Sequence, residues 1–170
     1  MKCNDFKNML TLGQIYPNKI CRRFIMDYHV LKKNDSRWLA IAAQIYNADW
    51  AAAKFLAKKM IGDEFNNWEG IVVAESNDRI IGFCSFVSKD IVDLTYSPYI
   101  AIVYVEPAFR GNGISKELVE IAEKQLIIEG FQSIFIVTQH TGLYEKWGYS
   151  QIDEAEDKFG RTMRVLEKDF

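Results

Sequence analysis

Phe109-Arg110-Gly111-Asn112-Gly113-Ile114-Ser115 sets two glycines between an apolar run and a helical pattern. Glycine enters left-handed backbone conformations at little cost, so the chain can bend there until several N–H groups point the same way. The unpaired donors of a helix N-terminus, together with its dipole, then favour an anion by roughly 0.3–1 kcal/mol per nearby charge at an exposed site. A pyrophosphate fits that description. An isolated Gly-x-Gly more often serves only a tight strand-to-helix turn, and these residues satisfy that reading as well. Two familiar phosphate loops are excluded, because one ends in Gly-Lys-Ser/Thr and the other needs a third glycine where Lys116 stands. Nucleotide hydrolysis and nicotinamide chemistry are therefore not indicated.

Such a loop acts only if a strand and a helix hold it, and the flanking pattern supplies both. Tyr99 to Val105 is an apolar run that stops at Glu106-Pro107, where proline removes a backbone donor. Ile114, Leu118, Ile121 and Ala122 recur on one side of a helix over about Ile114 to Glu129, with Gly130 as its stop. Upstream, Ile71–Ala74 and Ile80–Phe86 flank the turn residues Ser76-Asn77-Asp78, which predicts a β-hairpin. Downstream, Ser133–Thr138 reads as a strand and Leu143–Lys146 as a short helix. Tyr149–Ile152 and Thr162–Leu166 read as a last hairpin across an acidic turn, Asp153–Gly160.

The N-terminal part begins with a strand over Phe24–Leu31. Asn34, Asp35 and Ser36 then supply capping oxygens for two helices between Arg37 and Met60, broken at Asn47–Asp49. The same triplet matches a glycosylation acceptor, but capping is the preferred reading in a chain without an export signal. Gly62–Gly70 is a polar connector. The order predicts one α/β domain over 1–170 around a mixed sheet, with no repeat or linker.

Composition narrows the classes further. In 170 residues, 49% are hydrophobic, and 21 basic against 23 acidic residues leave a net charge of −2. That suits an ordinary folded domain and argues against a disordered chain or a highly basic nucleic-acid coat. Cys3, Cys21 and Cys84 are scattered and odd in number, which suggests neither a disulfide framework nor a thiolate zinc site, and no metal is expected. Met1–Tyr16 lacks the core of a secretory signal, and no segment reaches the ~18 apolar residues of a membrane span. A reducing, cytoplasmic setting without membrane or nucleic-acid partners is the expectation.

Val105-Glu106-Pro107 followed by Arg110-Gly111-Asn112-Gly113-Ile114-Ser115 resembles the acetyl-CoA loop of the GNAT family of N-acetyltransferases. That loop has the pattern Arg/Gln-x-x-Gly-x-Gly/Ala after a strand ending in Val-x-Pro. Ser115 stands where Gly or Ala is usual; it is one oxygen larger than alanine and can donate to a phosphate. Leu143-Tyr144-Glu145-Lys146-Trp147-Gly148-Tyr149 resembles a second signature of the family, separated from the first by one helix and one strand. The likeness spans about Gly70–Leu166, and residues 1–69 match only in element order. The resemblance implies a layered α+β domain with a mixed, mostly antiparallel sheet, flanking helices and splayed central strands. It also implies acetyl-CoA as co-substrate and a primary amine of a small molecule or peptide as acceptor.

By the same resemblance, Tyr144 is the general acid for the departing thiolate, and the main chain of Val103, Tyr104 and Val105 pairs with the pantetheine arm. The Val105 N–H polarises the thioester carbonyl. Gly111, Asn112, Gly113, Ile114 and Ser115 surround the phosphates, and Arg110 and Lys116 either supplement those contacts electrostatically or stand as solvated surface charges. The segment Thr138-Gln139-His140-Thr141-Gly142 is shortened relative to the family, leaving Thr138 and Gln139 as substitutes for a pantetheine contact. An alkylamine of pKa about 10.4 must lose a proton before attack. Glu106, His140, Asp93 and a water chain all stay open for that task, while His29 reads as a packing residue. Asp90, Asp93, Asp153, Glu154, Glu156 and Asp157 lie in stretches expected to border an acceptor cleft, which makes a cationic acceptor one reading and a solvated acidic surface the other. Tyr96 and Tyr99 are acceptor-pocket or core residues. A non-catalytic acyl-CoA-binding module is the rival function, and a homodimer stays open.

Overall fold

The computed structural model describes residues 26–170. The chain runs through β1 (Asp27–Leu31), α1 (Trp38–Tyr46), α2 (Ala51–Ile61), β2 (Gly70–Ser76), β3 (Arg79–Val87) and β4 (Tyr99–Val105). It continues through α3 (Ile114–Ile128), β5 (Ser133–Thr138), β6 (Ser150–Glu156) and β7 (Thr162–Asp169), with 3-10 turns at Pro107–Phe109 and Tyr144–Trp147. Phe24, which opens the first predicted strand, lies outside the described residues, as do Cys3 and Cys21. Cys84 is a free, buried thiol.

Local chemistry explains most boundaries. The Asp35 carboxylate accepts a bond from the Arg37 amide at 2.7 Å, and its carbonyl accepts from Trp38 at 3.0 Å. The expected capping oxygens thus form a turn leading into α1 rather than a cap at its N-terminal residue. Asn77 and Asp78 have φ of 51° and 60°, the doubly left-handed turn whose twist matches a two-residue hairpin between β2 and β3. The last hairpin differs from the expectation. Asp153, Glu154 and Glu156 belong to β6, paired with Val165, Arg164 and Thr162 of β7, and not to a turn. Acidic residues read as turn formers in isolation, but β6 is an edge strand whose acidic residues stay partly or fully solvated, so pairing decides.

The seven strands are ordered β1-β2-β3-β4-β5-β7-β6, and every neighbouring pair is antiparallel except β4 with β5. Those two pair in register only at Tyr99 and Phe135, where the Phe135 amide donates to the Pro98 carbonyl at 2.9 Å. Beyond that point they diverge. The flank of β4 from Ala101 to Val105 that would face β5 therefore has no strand partner among the described residues, and the central strands are splayed as expected.

Helices cover both faces. One core joins α1 and α2 to Ile71, Val73, Phe83, Tyr99, Ala101 and Phe135, and the other joins α3 to Val72, Cys84, Phe86, Ile100, Ile134 and Ile136. At about 1.5–3 kcal/mol for each fully buried large apolar side chain, these layers clamp the sheet wherever strands pair. An extra residue interrupts β4: Phe83 pairs with Tyr104 but Ser85 pairs with Ala101. Ile102 absorbs the bulge at φ 54°, a left-handed conformation that costs a β-branched residue about 1–2 kcal/mol. Ala101 and Ile102 consequently both face the α1–α2 layer, and the alternation downstream changes phase, sending Tyr104 to the α1–α2 side and Val103 and Val105 to the α3 side.

Candidate active site

The gap between β4 and β5 opens into a cavity of about 570 Å³. Val103, Tyr104 and Val105 of β4 form one wall, and Pro107, Phe109, Arg110, Gly111, Gly113, Ile114 and Ser115 form the end that leads into α3. His140, Leu143 and Tyr144 approach from the stretch after β5, and Asp49 and Trp50 from the turn between α1 and α2. Because Tyr104 belongs to the α1–α2 layer and Tyr144 to the α3 layer, the cavity draws its lining from both faces of the sheet.

The glycine loop has the geometry an anion requires. Gly111 and Gly113 both have φ of 81°, and a Cβ at either position would meet nothing within 4 Å, so backbone conformation alone selects glycine there. The amides of Gly111, Asn112, Gly113, Ile114 and Ser115 meet no acceptor among the described residues, whereas Phe109 and Arg110 on one side and Lys116 and Glu117 on the other are bonded. The Asn112 side-chain amide donates to the carbonyls of Phe109 at 3.0 Å and Arg110 at 3.3 Å, and Arg110 Nε donates to the Val105 carbonyl at 3.0 Å. These bonds hold the bend open.

Tyr144 is only 6% exposed and packs edge-on against Trp147 and Tyr149, with centroids at 5.2 and 6.2 Å. Its hydroxyl has no hydrogen-bond partner among the described residues, and burial pushes the phenol up to about 12. The stretch that carries it is fastened by a residue the sequence did not single out. Arg164 on β7 donates through Nε to Gln151 at 2.7 Å, through Nη1 to the His140 carbonyl at 2.7 Å and through Nη2 to Glu145 at 2.6 Å. That partner holds the Glu145 carboxyl below its ordinary range.

Other residues singled out from the sequence stand apart from the cavity. Lys116 pairs with Glu120 at 3.3 Å along α3. Buried Thr138 accepts the His140 amide at 3.0 Å, and Gln139 donates to the Thr162 carbonyl at 3.4 Å. Glu106 pairs with Arg79 at 3.1 Å and lines a neighbouring cavity of about 220 Å³ that shares Tyr104. Tyr99 is fully buried in the core, Tyr96 stacks on Phe135, and Asp157 is bound by Arg161. Neither the acidic β6 residues nor Asp90 and Asp93 line the cavity. His29, read as a packing residue, instead pairs with Glu75 at 3.1 Å. Asp49, Trp50 and Arg164 gave no local signal, because only the fold brings the α1–α2 turn and β7 to the loop.

Residues 67–151 match the family model described as an acetyltransferase (GNAT) domain, half of the chain, and the protein belongs to that family. An uncharacterized N-acetyltransferase from Chlorobaculum tepidum is 27% identical over 105 residues, 62% of this chain; the match spans 65% of that relative's length. Among solved structures, an aminoglycoside 6'-N-acetyltransferase complexed with coenzyme A superposes with a TM-score of 0.63 at 16% identity, over 84% of this chain and 96% of the other. A GNAT acetyltransferase from Elizabethkingia anophelis with acetyl-CoA bound gives 0.57 at 16% identity, over 85% and 98%. At those identities the two structures establish the shared fold. No helix among the described residues is long and apolar enough to cross a membrane.

Proposed function

We propose that the protein transfers an acetyl group from acetyl-CoA to a primary amine by direct attack, with Tyr144 as general acid. The observation that carries this reading is the run of amides from Gly111 to Ser115, unpartnered among the described residues, at the mouth of a cavity that Tyr144 also lines. Five adjacent donors at a helix N-terminus suit a diphosphate, and about 570 Å³ lies within the usual range of ligand cavities. Acetyl-CoA supplies the acetyl group as an activated thioester. Arg110 through Ser115 hold its phosphates, and the unpaired flank of β4 at Val103, Tyr104 and Val105 receives its arm as an added strand would. Asn112 acts by fastening the loop and Thr138 by seating His140, while Lys116 reaches the phosphates only if it leaves its pair with Glu120.

The Val105 N–H polarises the carbonyl. The amine nitrogen forms the C–N bond as the C–S bond breaks, Tyr144 gives its proton to the sulfur, and the amine's proton leaves to solvent and ultimately restores the phenol. A phenol near 12 would be a poor donor to a thiolate in water, but the burial that raises it also raises a thiol placed beside it, which restores the match. The acceptor enters from the α1–α2 side, where aminoglycoside-like, polyamine or peptide amines are the classes to examine. Calorimetry with coenzyme A and a thiol-release assay with acetyl-CoA and a panel of such amines test the reading. Binding with turnover supports it, binding without turnover on any amine leaves an acyl-CoA-binding module, and absence of binding overturns both.

A further inference from the structure

Among the described residues, Asp49 lines the cleft, Glu106 lines the neighbouring cavity, and Glu145 follows Tyr144 in the chain. Glu106 is neutralised by Arg79 at 3.1 Å and Glu145 by Arg164 at 2.6 Å. Asp49 stands solvent-exposed at the edge of the cavity it helps to line and has neither a cationic nor a hydrogen-bonding partner among the described residues. Next to it Trp50 is 38% exposed and stacks on Tyr104, with ring centroids 5.8 Å apart and planes at 18°. Tyr104 is backed in turn by Phe83 at 5.0 Å, which fixes the aromatic wall against β3. None of these side chains belongs to the loop that faces the phosphates, and the bulge at Ile102 is what turns Tyr104 toward them.

We propose that Asp49 and the Trp50–Tyr104 ring pair hold a positively charged group of the acceptor, so that the acceptor carries a cation in addition to the amine that is acetylated. The inference rests on the acetyl-transfer reading. A carboxylate without a protein counter-ion beside an aromatic surface suits an alkylammonium, which offers charge to the first and polarised methylenes to the second. The held charge is not the reacting nitrogen, since a protonated amine has no lone pair with which to attack. It therefore belongs to a second group on the same molecule.

The test compares diaminobutane with butylamine, which differ by that second charge. Both are titrated calorimetrically into protein saturated with coenzyme A, and both are assayed for thiol release from acetyl-CoA. The native protein should prefer the diamine by about tenfold in kcat/KM, in line with one solvent-exposed charge contact plus one cation–π contact, and raised salt should shrink that preference. Asp49→Asn should cut it below about threefold, Trp50→Leu should cut it in part, and Asp49→Glu should restore most of it. A preference that survives in Asp49→Asn overturns the proposal. So does an equal loss of kcat for both amines with a displaced acid limb of the pH profile, which would mean that Asp49 serves the reacting nitrogen. Coenzyme A binding with no uptake of the diamine sinks this subsite and leaves the donor site standing; failure to bind coenzyme A sinks both.

Discussion

Tyr144 owes its chemical state to where its ring lies. Held at about 12 by burial, the phenol keeps its proton through the whole physiological range, so its readiness as a donor does not fade on the alkaline side. Acetyl transfer to an alkylamine should therefore rise with pH to about 10, as the acceptor loses its own proton, with no fall from this residue below that. Tyr144→Phe keeps the ring and removes the proton; kcat should drop about a hundredfold with coenzyme A affinity held within about threefold, as calorimetry and thiol release will measure. Equal kcat would remove Tyr144 from the mechanism. Asp90 makes a different prediction, because burial lifts its carboxyl from 3.8 to about 6. The folded state then keeps a proton that the unfolded chain has already lost, so stability falls as pH rises from about 4 to 6 and levels off above. Asp90→Asn keeps an oxygen for the Ile91 amide, now accepted at 2.7 Å, and should raise stability at neutral pH by about 2 kcal/mol while flattening that slope in denaturant titrations.

At the scale of elements, the site depends on segments that lack regular partners. The stretch from His140 to Trp147 is joined to β7 by the Arg164 fork, two of whose three bonds fix the carbonyl of one cavity residue and the carboxylate adjacent to another. Arg164→Met leaves the strand pairing intact but releases that stretch. We expect a ten- to hundredfold lower kcat, faster hydrogen exchange at 139–147, and little change in coenzyme A affinity, because displacement of a reacting group by about an ångström is enough for such losses. Arg164→Lys keeps the charge without the fork and should fall between the two. Unchanged kcat in Arg164→Met would mean that packing of Tyr144 against Trp147 and Tyr149 suffices to place it.

For the molecule as a whole, the cleft exists because one neighbouring pair in a seven-stranded sheet is joined at a single register point. A ligand that fills such a gap connects the two halves of the sheet, so it should stabilise the native state by linkage. Coenzyme A at a hundred times its Kd should add about 2.7 kcal/mol and raise Tm by roughly 5–10 °C in a domain of this size, as a calorimetric melt will record. A melt that does not move would exclude specific uptake.

Nearby residues dictate the order of helices and strands, the left-handed bends at Gly111 and Gly113, and the pairing of a glycine loop with Leu143-Tyr144-Glu145-Lys146-Trp147-Gly148-Tyr149 that marks the family, and all of these are legible in the chain alone. Asp157 and the β6 acids show the limit of such reading, since their surroundings depend on Arg161 and β7 and not on composition. Tertiary structure alone decided the phase of β4, because Tyr99 to Val105 is apolar at every position and a one-residue bulge at Ile102 leaves no mark in an unbroken run. It also decided that Asp49, Trp50 and Arg164 reach the cleft. Their neighbours there are more than 50 residues away along the chain for the first two and about 20 for the third, and only long-range strand pairing and the packing of helices on both faces bring such separations to contact distance.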